Sequence, residues 1–162
     1  IPAIELNISC PNVKDGGIRA QDEELRRMLD QFASENNHNV IDIICYFYRV
    51  QMELCEQVGV KFYEEIQHMP RVVAYMKSVH EHEVEDRMRF YECGVKEGLF
   101  RSDIDYPFIS NVGHITMNEI MHLQLYRMYS MQTIFDNFFM VIVRGICTER
   151  GLELLNRGMG HA

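Results

Sequence analysis

The 162-residue sequence has no tryptophan, only four prolines and no run of 18 uncharged apolar residues. The last absence argues against a membrane-crossing helix, and the N-terminus lacks the basic start and apolar middle of a signal peptide. The five cysteines, Cys10, Cys45, Cys55, Cys93 and Cys147, are odd in number and never spaced as C-x-x-C. Neither a disulfide framework nor a zinc site is expected from them. Several fall inside apolar helical patterns, where a free thiol acts as a small hydrophobe, so the sequence predicts a cytoplasmic protein in a reducing compartment. Basic residues are also scarce: 16 Lys plus Arg against 24 Asp plus Glu give a formal net charge of -8. That balance repels a phosphate backbone, so these residues are not expected to bind nucleic acid themselves. Gly16-Gly17 and Gly158-x-Gly160 lack the strand and helix context of a nucleotide loop, and no nucleophile stands beside a base. No enzymatic activity or cofactor is expected.

What is present is an ordinary globular composition, 47% hydrophobic and 25% charged, in a chain of single-domain size. Residues 1–21, with Pro2, Pro11 and the Gly16-Gly17 pair, read as an irregular arm, and residues 22–162 as one domain. Leu25, Met28, Leu29 and Phe32 recur at helical spacing behind Asp22 and predict a helix over about 22–36. Asn39 with Asp42 three residues on predicts the start of a second helix reaching about Val58, apolar on two sides and therefore interior. A short helix over about 60–68 stops before Pro70, which can open the next one. Val73, Met76, His80, Val84, Met88, Tyr91 and Val95 then predict a single long helix to about 97, closed by Gly98. Asp105 is the N-cap candidate for a helix over about 106–127, again with more than one apolar face. A last long helix covers about 131–150, with Leu152, Leu154 and Leu155 continuing it or forming a short cap helix. No strand pattern competes, so the expected fold is all-α, an antiparallel bundle of about six helices.

Three groups of residues carry chemistry. Two Glu-x-x-His pairs, Glu65 with His68 and Glu119 with His122, match the ligand spacing of di-iron bundles, and a metal-binding bundle is the alternative reading. Two such pairs are also close to what chance supplies in a chain this rich in Glu. The run from Val79 to Asp86 reads as a solvated acidic face, because only residues three or four apart on a helix converge. Tyr48, Met52, His80, His114, Met117 and Met121 are either core packing or the lining of an apolar cavity with a few polar groups; methionine adapts to ligands of varied shape. Phe135, Phe138, Phe139, Ile142 and Ile146 form a broad apolar stripe on the last long helix, a candidate homodimer interface with Gly145 permitting close approach.

The segment from Glu92 to Asp105, which reads E-C-G-V-K-E-G-L-F-R-S-D-I-D, resembles the turn between two helices in the regulatory domain of TetR-family transcriptional regulators. Phe139 to Leu152, with its R-G-I-C-T-E-R-G ending, is similar to the last long helix of that family. Phe62 to Pro70 is similar to its short helix and proline. The resemblance spans about 22–157. It implies a TetR C-terminal-domain-like fold, an internal pocket for a small-molecule effector and pairing of the last two helices with a second subunit. Operator DNA would be reached only through an N-terminal helix-turn-helix that this chain does not contain, and residues 1–20 match nothing in the family.

Overall fold

The computed structural model describes residues 17–35 and 37–160, without the side chains of residues 17–22, Met76, His80 and His82. Among the described residues the fold is an all-α helical bundle, with one isolated bridge in place of any strand. Helix α1 (Gly17–Ser34) starts within the expected arm, whose residues 1–16 lie outside the described ones. It lays Leu29 into the core. At its far end Phe32 stacks on His38 and on Tyr46 of the next helix, with centroids 3.8 and 4.2 Å away.

Helix α2 (Val40–Glu56) is the interior element, as its two apolar stripes require: Val40, Ile41, Ile43, Ile44, Cys45 and Phe47 are all buried. Its start is set by a capping box. The Asn39 side chain accepts from the Ile41 and Asp42 amides at 2.8 and 3.0 Å, and Asp42 accepts from the Asn39 amide at 3.0 Å. The Val40 amide donates to Glu97 at 3.0 Å, tying the start of α2 to the far end of α5.

Helix α3 (Val60–Gln67) is followed by α4 (Pro70–His82), which opens on its proline, and by α5 (Val84–Lys96). The single helix expected over 70–97 is therefore two. The break falls at Glu83, whose backbone leaves helical geometry at φ -103, ψ 8 and whose carboxylate is buried and paired with Arg26 of α1. Far from belonging to a solvated face, this carboxylate turns inward to the one class of partner that makes its burial tolerable.

Helix α6 (Tyr106–His122) begins at Asp105, which accepts from the Phe108 amide at 2.9 Å. It ends earlier than the expected 127, at a left-handed Gln124 (φ 54) that turns the chain into a 3-10 turn, Leu125–Arg127. The expected helix over 131–150 is also subdivided. Helix α7 (Met131–Ile134) leads into a π turn (Phe135–Phe139) and α8 (Met140–Ile146); Cys147 is extended and Thr148 caps a separate α9 (Glu149–Gly158). The Thr148 hydroxyl accepts from the Gly151 amide at 3.1 Å, an N-cap that starts a new helix just where apolar periodicity alone continues the old one.

The two segments that carry the family resemblance meet each other. Gly98 closes α5 at φ +71, which sends Leu99 and Phe100 back into the core. Phe100 bridges Cys147 in antiparallel fashion, and the Arg101 amide donates to the Ile146 carbonyl at 2.8 Å. The Thr148 amide donates to the Leu99 carbonyl at 2.9 Å and its hydroxyl to the Gly98 carbonyl at 2.9 Å. Arg101 pairs with Asp103 at 2.7 Å and also donates to the Gly145 carbonyl at 3.3 Å. Gly151 permits this approach, since a Cβ there would stand 2.2 Å from the Leu99 oxygen.

Candidate functional site

Helix α6 has two apolar faces with different fates. On one, Ser110, His114, Met117 and Met121 follow at steps of four, three and four; Met117 is buried, and the other three are half-buried. On the opposite face Phe108, Val112 and Ile115 lie in water, at 61%, 39% and 61% exposure.

The inner face begins at a charged group. Arg87 of α5 is buried and donates to Ser110 at 3.3 Å. His114, one turn further on, contacts Asn118 at 2.9 Å. Partial burial, and secondarily the nearby guanidinium of Arg87, hold the His114 imidazole below its ordinary value, because both disfavour the charged ring. Met117, Met121, Tyr48 and Met52 all belong to or pack against one apolar cluster built around Phe47, Phe90 and Phe135. Four of the six candidate lining residues thus share one interior, with His114 at its α5–α6 side. Tyr48 sends its hydroxyl away from that interior, donating to Asp136 at 2.5 Å, while its ring meets Phe135 edge-on. Burial first, and the Asp136 carboxylate second, push the Tyr48 phenol up to about 12. The side chain of His80 lies outside the described residues.

Three interior polar residues were not among the candidates. Arg87 is one. The second is Gln51 of α2, which is fully buried with neither amide atom hydrogen-bonded among the described residues. The third is Tyr126 in the 3-10 turn, 4% exposed, whose hydroxyl likewise has no partner there. Gln51 extends the buried line Val40, Ile44, Phe47 by one more helical step, so a polar residue on an apolar stripe was the signal for it. Tyr126 follows a left-handed residue beyond the end of α6, where periodicity gives no signal.

The proposed interface stripe requires correction. Phe135, Phe139 and Ile146 are 0%, 5% and 5% exposed and belong to the core of the chain itself. Phe139 meets Phe47 edge-on at 5.8 Å and Phe135 at 5.7 Å. A helix packed against α2 has to bury one face within its own chain before it can offer another to a partner. Phe138 and Ile142 remain half-buried, and Val141 is 58% exposed. Val141 lies one turn before Gly145, where an added Cβ would meet nothing within 4 Å.

The metal reading is also corrected. Glu65, His68, Glu119 and His122 are all exposed, and among the described residues no group of three or more His, Cys, Asp or Glu side chains could hold a metal ion. Cys45, Cys55, Cys93 and Cys147 are free thiols. Burial pushes the Cys147 thiol up to about 11, which keeps it protonated and unreactive at neutral pH. No helix of the described residues is long and apolar enough to cross a membrane. No family model, curated protein or solved structure matches the chain.

Proposed function

We propose that the chain is the effector-binding and dimerisation domain of a TetR-like transcriptional regulator. In this reading a small apolar or amphipathic molecule seated among the helices changes the operator affinity of an N-terminal helix-turn-helix that lies outside the chain. The observation that carries it is the two-faced α6. One rigid helix contributes His114, Met117 and Met121 to the interior and holds Phe108, Val112 and Ile115 in water. An exposed apolar band of this kind marks a surface that a partner covers. Paired about a two-fold axis with a second copy, together with Val141 and Phe138 of α8, it forms an isologous helical interface. A ligand on the inner face that favours one placement of α6 then shifts the spacing of the two subunits, by no more than its differential affinity for the two arrangements. The free thiols fit a reducing, cytoplasmic setting for such a protein.

The test is native mass spectrometry and sedimentation of the chain beside Ile115→Asp and Val141→Asp. Both positions are more than half exposed, so the folded monomer tolerates a carboxylate there. We expect a wild-type dimer and monomeric, fully helical variants. A wild-type monomer, or variants that remain dimeric, would overturn the interface and with it this reading.

A further inference from the structure

We propose that the Gln51 amide and the Tyr126 hydroxyl recognise the polar end of the effector, and that the effector is an uncharged molecule with an apolar body and an amide-like group that both donates and accepts hydrogen bonds. This deepens the sensing reading and rests on it.

The two groups flank one junction. Gln51 lies one helical turn before Cys55 on α2, Cys55 Sγ accepts from the Tyr63 hydroxyl at 3.8 Å, and the Tyr63 ring stands 5.4 Å from that of Tyr126. Around them are Met117, Ile120, Met121 and Phe62, all apolar and in the same cluster. A buried amide offers two N–H donors and a carbonyl acceptor, and a phenol offers one of each. Leaving them unpaired is costly, and in a folded protein each such group calls for a specific explanation. A ligand that supplies the missing partners is one that fits an otherwise apolar interior.

The ligand's charge follows from which buried groups are already engaged. Among the described residues the buried charges are Glu83 and Arg87, and these face Arg26 and Ser110 respectively. The polar atoms left over are neutral. A carboxylate or ammonium placed among them would lose its hydration without gaining a counter-ion, whereas a carboxamide is complementary to glutamine on both its edges.

The experiment uses three probes of equal chain length, octanamide, octanoate and 1-octanol, titrated by calorimetry into the wild-type chain, Gln51→Met and Tyr126→Phe. The unfolding temperature of each ligand-free protein is measured alongside. We expect octanamide to bind about tenfold or more tighter than octanoate, and either substitution to abolish that preference. Gln51→Met, an unbranched replacement of similar volume, is expected to raise the ligand-free unfolding temperature, because it removes an unpaired buried amide. A lowered temperature would show the amide to be satisfied by bound water and would overturn the proposal. Octanoate binding as tightly as octanamide, or no binding of any probe, would overturn it as well. The dimer mass separates the two levels: a dimer without an amide preference removes this inference alone, and a monomer removes the regulatory reading beneath it.

Discussion

Replacing Gly151 by alanine sets two physical effects against each other, and the tertiary structure fixes the sign. In an isolated helix the change is stabilising, by up to about 1 kcal/mol. In the folded chain the new Cβ would stand 2.2 Å from the Leu99 carbonyl oxygen and 3.2 Å from the Cys147 Cβ. The first of these is backbone and cannot rotate away. That same carbonyl accepts from the Thr148 amide at 2.9 Å, so moving it strains or breaks a bond that joins α9 to the turn after α5. Overpacking of this kind costs about 1–3 kcal/mol, and a weakened hydrogen bond about 0.5–1.5 kcal/mol more. After the helix gain is subtracted, the expected net loss is about 2 kcal/mol, which for a domain of this size lowers the unfolding temperature by about 4–8 °C. The control is Gly113→Ala within α6, where an added Cβ meets nothing within 4 Å. It is expected to raise the unfolding temperature by a few degrees. Thermal and urea unfolding followed by circular dichroism at one protein concentration measure both. Equal stabilisation by the two substitutions would refute the reasoning, since it would show that the docking of the two segments at Leu99 contributes nothing.

Two further outcomes test the site's electrostatics. Because His114 is held below its ordinary value of 6.5, the unfolded chain binds its proton first as pH falls. Its contribution to stability is therefore complete above about 6.5, shrinks below that value and levels off beneath the folded value. Urea unfolding at pH 7.5 and 5.5 should show a larger loss for the wild type than for His114→Asn, and equal losses would remove burial as the cause. For Tyr48, a phenol near 12 means that wild-type and Tyr48→Phe absorbance titrations coincide up to about pH 11 and separate above it while the protein remains folded. Separation near pH 10 would show that the Asp136 contact does not form in solution.

Local periodicity was enough to read the helices and the exposed-versus-interior doubling of α6. It also located the Asn39 and Asp105 caps, because a cap is a contact between neighbours in the chain. The helix breaks were less legible. Glu83 interrupts the helix at 70–97 where its carboxylate meets Arg26, a residue remote in sequence. Thr148 ends the last long run because a threonine cap and the bridge to Phe100 outweigh an apolar pattern that would otherwise continue. The Phe135, Phe139 and Ile146 stripe was visible as apolar, but hydrophobicity does not say whether a face meets its own chain or another. Only packing against α2 assigned these three to the core and left Phe108, Val112, Ile115 and Val141 at the surface. The same limit hid Gln51 and Tyr126. Residue types and local spacing determined which elements form and which faces are apolar, since those depend on neighbours within a few residues. Tertiary structure decided which of those faces are buried and which buried polar groups are left without a partner, since both depend on what the rest of the chain brings to meet them.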